Sequence, residues 1–263
     1  MCLGLTVRNK ETRAKSIYIS ANIPNSVLIA DLVLKHEKCW SELTGIYDKS
    51  SIFDLNMIMD LRERTSYTSV YIKVDKKNQF ANFKNQMKES KYIGKIKEII
   101  SIRNVINNVT HFVNFVGIYN DTIGAILSEE GSPLYWFYFV NGLERWTFLV
   151  NNRDQLKQIS ERISNIATIK DTAVVALTKD SITYLNSLRA RNFLLPYLTN
   201  KQWDTLARAF TMGYYNSPRN IRLSALSQRF NVSSPTLDER IRTSESKILR
   251  TLFNSDNGFM AYS

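Results

Sequence analysis

Apolar positions follow two different periods along this chain, and the change of period divides it. From Val27 to about residue 190, strand-like and helix-like patterns alternate; beyond Pro196 only the helical period remains. Val27–Lys35 and Phe53–Leu61 read as strands, and Ser69–Val74 is rich in β-branched and aromatic residues that suit a third. Phe80, Phe83 and Met87 make a helical stripe, and Ile93–Ile102 returns as a strand. His111–Ile118 and Thr122–Leu127 read as two strands joined by the turn pair Asn120-Asp121. Leu134–Val140 and Leu143–Val150 flank Asn141-Gly142, whose residues tolerate the left-handed backbone of a tight hairpin. In the second of these strands Trp146, Phe148 and Val150 share one face, and Arg145 and Thr147 the other. Leu156, Ile159, Ile163 and Ile166 mark an amphipathic helix, Thr168–Leu177 a strand, and Ile182–Phe193 a connecting helix that Pro196 closes off.

A strand–strand–helix–strand order therefore occurs twice, at roughly 53–102 and roughly 134–177. Two ferredoxin-like or ACT-like ββαβ units side by side would produce it, with a cleft where they meet. The expected fold class is α+β: these units, followed by an all-α C-terminal domain. The expected divisions are a basic leader over 1–26, an α+β sensing or dimerisation domain over 27–190, and the helical domain over 191–263, with its core at 198–252.

The helical segment has the order of a helix-turn-helix. Thr199 and Gln202 have the spacing of a capping box. Trp203, Leu206, Ala207 and Phe210 follow as an apolar stripe, and Gly213 suits the helix end because it enters the left-handed region without steric cost. After a polar connection, Leu223, Leu226 and Phe230 repeat at helical spacing beside the small Ser227. Asn231 stops that helix, Val232 plugs the turn, and Ser233 or Ser234 caps the next, with Pro235 in its first turn. Leu237, Ile241, Ile248 and Leu252 line the buried side of the last helix. A short helix, a tight turn and a second helix with a free polar face is the shape that enters a DNA major groove.

These residues resemble the helix-turn-helix of archaeal bacterio-opsin-activator (Bat-type) transcriptional regulators, Sulfolobales-like in pattern. The resemblance lies in Leu198-Thr199-x-x-Gln202, in Gly213-Tyr214-Tyr215 and Pro218-Arg219, and in Leu226 followed by Ser233. It closes with Leu237-x-Glu239-x-Ile241-Arg242-x-x-Glu245-x-Lys247-Ile248-Leu249. Ser227 and Asn231 stand where such motifs usually carry alanine and glycine, and Arg222 where a better capping residue is common. The resemblance implies a sequence-specific DNA-binding transcription regulator whose partner is double-stranded DNA. On the last helix, Ser234, Pro235, Asp238, Glu239 and Arg242 are the candidates for base contact. Arg222, Ser233, Thr236, Arg240 and Lys247 are the candidates for phosphate contact.

Charge supports a polyanionic partner. The chain of 263 residues carries a formal charge of +11, with a pI near 9.6. Residues 197–253 hold nine Lys/Arg against four Asp/Glu. One such motif reads only a few base pairs, so a homodimer on two half-sites is expected, with self-association through the N-terminal domain. Two cysteines, Cys2 and Cys39, no signal-peptide layout and no apolar run long enough for a bilayer suggest a cytoplasmic protein without a membrane partner.

Catalytic spacings are missing: there is no GxSxG elbow, no phosphate-cradling glycine loop and no HExxH. The expectation is a non-enzyme that needs no cofactor and senses a small-molecule effector. The one constellation that suggests chemistry is His36-x-x-Cys39-Trp40. A histidine and a cysteine at that spacing can share a metal, and His111 is the only other histidine. A structural zinc site wants four ligands, and the sequence offers no second Cys/His pair, so no metal is assigned. His36, Cys39 and Trp40 stand instead as effector-contact candidates, and Sulfolobales-type regulators of this pattern carry a similar His-Cys-Trp segment. The alternative is a metabolite-binding or enzymatic ACT-like protein whose C-terminal helices mediate assembly.

Overall fold

In the computed structural model, residues 27–89, 96–106 and 108–253 are described. Strand β1 (Leu28–Lys35) leads through a 3-10 turn (Trp40–Glu42) and the short α1 (Leu43–Ile46) into β2 (Ser51–Asp60) and β3 (Thr65–Lys73). Then come α2 (Gln79–Met87), β4 (Ile96–Ile106), β5 (Thr110–Ile118) and α3 (Ile123–Glu129). The order continues with β6 (Leu134–Val140), β7 (Leu143–Val150), α4 (Arg153–Ser164), β8 (Thr168–Ala176) and α5 (Lys179–Leu194). A second 3-10 turn (Leu195–Tyr197) precedes α6 (Asn200–Thr211), α7 (Leu223–Arg229) and α8 (Ser234–Phe253).

The strands form one eight-stranded sheet in the order β4-β5-β3-β2-β6-β7-β1-β8, every neighbouring pair antiparallel. The order β–α–β–β–α–β runs twice, through β1–β4 with α1 and α2 and through β5–β8 with α3 and α4. The opening strand of each run sits in the other: β1 lies between β7 and β8, and β5 between β3 and β4. The halves meet through a short pairing of β2 with β6, Ser51 to Val140 through Phe53 to Tyr138.

Strand alternation sets up the two faces. Leu32, Ile52, Val70, Val113, Phe137, Trp146 and Phe148 point to one side, where Leu43, Phe83, Met87, Ile123, Leu127, Ile159 and Ile163 from α1–α4 cover them in a single core. The opposite face carries the Asp31–Arg145 ion pair, Tyr71 and Tyr135. There α5 crosses: the Tyr135 hydroxyl donates to Asn186 Oδ1 at 2.6 Å and Arg189 stacks over the Tyr135 ring. Helix α5 runs through the expected division at residue 190 and hands the chain to the helical segment. That handover is fastened to the sheet. Lys73 Nζ donates to the Leu198 carbonyl at 2.7 Å, Thr110 Oγ1 to the Pro196 carbonyl at 3.1 Å, and the Tyr71 and Tyr197 hydroxyls share a bond of 2.8 Å.

Four sequence expectations need correction, one of them Leu252, expected on the buried side of the last helix but 54 % exposed. Thr122–Leu127 is not a strand but the start of α3: the Thr122 hydroxyl accepts the Ala125 N–H at 3.2 Å, an N-cap that a run of small and apolar residues leaves undecided. Strand β3 begins at Thr65, four residues earlier than Ser69, on polar residues that pair with β2 and β5. The apolar stripe of α6 is out of phase, since Phe210 is 68 % exposed while Thr205 and Ala209 are buried. The leader 1–26 and residues 93–95 lie outside the described residues. Among those described, no helix is long and apolar enough to cross a membrane.

Candidate nucleic-acid interface

The three C-terminal helices are assembled by local signals. The Thr199 side chain accepts the Gln202 N–H at 3.1 Å, and the Gln202 carboxamide oxygen accepts the Thr199 N–H at 3.0 Å, closing the capping box of α6. Gly213, at φ 76°, ends that helix. The connection then folds back, with Tyr214 buried and the Tyr215 hydroxyl donating to Glu245 of α8 at 2.6 Å. Asn231, at φ 53°, turns the chain after α7, and Val232 N–H reaches the Ser227 carbonyl at 3.2 Å. Ser233 is the cap of α8, its hydroxyl accepting the Thr236 N–H at 3.3 Å. Ala209, Tyr214, Leu226, Leu237 and Ile241 are the core that holds the helices together. Ser227 is buried where α7 meets α8, and its hydroxyl lies 2.9 Å from that of Ser234.

Helix α8 therefore has a defined outward face. Leu237, Ile241 and Ser244 are buried, and Pro235, Thr236, Glu239, Arg242, Thr243, Ser246 and Arg250 are exposed. Of the base-contact candidates, Pro235, Glu239 and Arg242 lie on this face. Asp238 flanks it and pairs with Arg242 at 2.9 Å, an i,i+4 bridge that aims the guanidinium along the helix. Ser234 is turned inward to Ser227. Of the phosphate-contact candidates, Arg222, Ser233 and Thr236 are exposed at the two helix starts and Arg240 is half-buried. Lys247 turns back to α6, its ammonium donating to Gln202 at 3.0 Å. Thr243 and Ser246 share the outward face and were not singled out from sequence. Their signal was available, because both fall opposite Leu237 and Ile241 at 3.6 residues per turn.

A second constellation forms on the core side of the sheet. His36 follows β1, and a turn through Lys38 at φ 60° brings Cys39 back toward it. Trp40 packs edge-on against Phe115 and Phe139. All three residues are buried. The partner not among the sequence candidates is Glu144 of β7, which is fully buried. Its Oε1 lies 3.4 Å from His36 Nδ1 and accepts from Ser41 Oγ at 2.7 Å, while Oε2 accepts from the Trp146 indole N–H at 2.8 Å. Burial works against the Glu144 carboxylate, but the His36, Ser41 and Trp146 donors outweigh it and hold its pKa below the usual range. Burial likewise works against the imidazolium, and the Glu144 carboxylate outweighs it, raising the His36 pKa. Burial and then the Glu144 charge push the Cys39 thiol well up. Glu144 was legible in part: it shares the inward phase of Trp146 and Phe148, where a carboxylate demands partners. His111 is not in this group and stacks on Phe80 at 3.6 Å.

Helix order, caps and the exposed face of α8 define the C-terminal part as a helix-turn-helix DNA-binding module. Residues 198–250 match the family model described as HTH DNA binding domain, which covers about a fifth of the chain. That match supports a DNA-binding regulator of Bat-like type. No curated protein and no solved structure matched the chain.

Proposed function

We propose that this protein is a sequence-specific transcription regulator of the archaeal Bat type that binds duplex DNA through α8 and carries a sensing domain in its N-terminal part. The carrying observation is the division of α8 into a buried stripe of Leu237, Ile241 and Ser244 and an exposed face built around Glu239 and Arg242. Pro235, Glu239, Arg242 and Thr243 would meet base edges, with Asp238 orienting Arg242. Arg222, Ser233, Thr236 and Arg240 would meet phosphates. Ser234 and Lys247 serve the packing of the helices.

The N-terminal halves are, on this view, two ferredoxin-like or ACT-like units that have exchanged opening strands. The order β4-β5-β3-β2 against β8-β1-β7-β6 supports it, since each half has the same arrangement once β1 and β5 are swapped. Homodimerisation would use this domain, whose edge strands β4 and β8 have no further strand paired to them among the described residues. A polar cleft of about 390 Å³ between α3 and α4, lined by Arg64, Tyr119, Glu129 and Arg162, has the size of a small-metabolite site. The His36–Cys39–Trp40 group has no such room beside it.

A gel shift of the full chain against its own promoter region, in excess competitor DNA, tests the proposal. A retained specific complex is expected. Equal loss of promoter and competitor complexes would reduce the protein to a non-specific polyanion binder, and no complex at all would leave the C-terminal helices as an assembly device.

A further inference from the structure

Three ligating side chains converge in the core although the chain separates the first from the last by more than a hundred positions. One nitrogen of His36, the Cys39 sulfur and a Glu144 oxygen all lie within 4.8 Å of one another, and each residue is buried. Imidazole, thiolate and carboxylate are the three protein donors that zinc accepts. In a tetrahedral zinc site, bonds of about 2.0–2.3 Å put the ligand atoms roughly 3.5 Å apart, so small side-chain rotations would close the cluster around an ion.

The surroundings are built as a metal's would be. His36 Nε2 is buried with no hydrogen-bond partner among the described residues, an unfavourable state for a polar group that a metal bond would relieve. The Glu144 carboxylate is oriented by Ser41 and Trp146, as donors around a metal-bound carboxylate orient it, and it has lone pairs to spare. The loop carrying Cys39 is pinned to the β6–β7 turn that leads into Glu144. Thr44 Oγ1 donates to the Ser41 carbonyl at 2.8 Å and accepts the Gly142 N–H at 2.9 Å. A side chain at Gly45 would press on the Gly142 backbone at 3.2 Å, so the two segments touch.

Beside the three ligands lies a cavity of about 50 Å³, also lined by Met57, Met59 and Thr68. Metabolite pockets run to roughly 300 Å³ or more. A cavity of this size has room for a water-sized fourth ligand instead. Met57 and Met59 are half-buried and their sulfurs press over Gly124, which places flexible thioethers at the rim of the cavity. We propose that His36, Cys39 and Glu144 bind a thiophilic divalent transition-metal ion, of which zinc is the type, with its fourth position facing this cavity. The site lies wholly within the sheet domain, apart from α8, and would give that domain a metal ion as its ligand.

Cobalt(II) is the probe, because a cobalt–thiolate bond has its own near-ultraviolet charge-transfer band. The full chain carrying Cys2→Ser leaves Cys39 as the sole thiol. Titrated after chelator treatment, it is expected to take one equivalent of cobalt with that band and tetrahedral visible absorption, both bleached by one equivalent of zinc. Trp146→Phe, which removes one donor to Glu144, should weaken cobalt about tenfold. Glu144→Gln should weaken it further, with folding checked by circular dichroism. A Cys2→Ser protein that is folded but shows neither the band nor thermal stabilisation by zinc overturns the proposal and leaves a buried histidine–glutamate pair. Undiminished affinity in a folded Glu144→Gln protein, or preference for copper(I) over zinc, overturns the assignment of the carboxylate.

Discussion

Replacing Gly213 by alanine should damage the helix-turn-helix through two separable effects. The backbone there sits at φ 76°, and a side chain in the left-handed region costs about 1–2 kcal/mol. The added Cβ would also stand 2.8 Å from the Cβ of Asn220 and 2.9 Å from its Cγ and Nδ2. The carboxamide can swing away, but the Asn220 Cβ cannot, because the Asn220 N–H is bonded to the Gly213 carbonyl at 3.0 Å. Relief requires a backbone shift in the connection that sets α6 against α7, at about 1–3 kcal/mol for an overpacked contact. Gly213→Ala should therefore cost about 2–5 kcal/mol in urea unfolding, at unchanged denaturant dependence. Asn220→Gly removes the obstructing Cβ and leaves the backbone strain. In that background the same substitution should cost only about 1–2 kcal/mol, a coupling that a double-mutant cycle reads directly. A penalty that Asn220→Gly leaves unchanged would refute the steric half of the argument, and a total below about 0.5 kcal/mol would refute both halves.

Two further outcomes follow from single side chains. Burial raises the Asp54 pKa to about 7, against weaker lowering by the Arg189 charge and the Phe137 N–H, and its Oδ1 has no partner among the described residues. The folded protein then holds this proton from the ordinary carboxylate range up to about pH 7 while the unfolded chain has lost it, so stability falls as pH rises through that window. Asp54→Asn should stabilise by on the order of 3 kcal/mol at pH 8 and by almost nothing near pH 3, measured by thermal unfolding, and a pH-independent effect would count against it. Ser227→Ala should stay within about 1 kcal/mol of wild type, since the close α7–α8 approach needs only a small residue. Ser227→Leu should cost about 1–3 kcal/mol or more by forcing the helices apart, and equal stability of the two variants would contradict the packing.

Much of the C-terminal module was legible because its signals are local. The capping box at Thr199, Gly213 and Asn231 at helix ends, and Leu237 with Ile241 on one stripe each report on neighbours within a few residues. Helix α6 departs from hydrophobic spacing at Phe210, because it buries Thr205, whose hydroxyl returns to the Lys201 carbonyl, and leaves the aromatic outside. In the sheet, strands with strict alternation such as β7 could be read directly. Helix α3 could not, because its short run suits either period and only the Thr122 cap decides it. The interleaving of β1 and β5 is beyond local patterning altogether, and so was the meeting of Glu144 with His36 and Cys39 that depends on it: Leu34 pairs with Glu144 across β1 and β7. A lone carboxylate in the inward phase of a strand was the trace that remained.

The central claim is that the outward face of α8 meets DNA, and matched charge reversals test it most directly. Arg242 and Lys157 are both well exposed, at 78 % and 77 % of their side chains, the first on α8 and the second on α4 of the sheet domain. Arg242→Glu and Lys157→Glu change the net charge of the chain equally. In fluorescence anisotropy of the full chain on duplex promoter DNA at fixed salt, Arg242→Glu should weaken binding at least tenfold, which is about 1.4 kcal/mol, with Lys157→Glu within about twofold of wild type. Equal losses for the two variants, or an Arg242→Glu protein that binds as well as wild type, would contradict the assignment of α8 as the DNA-reading helix.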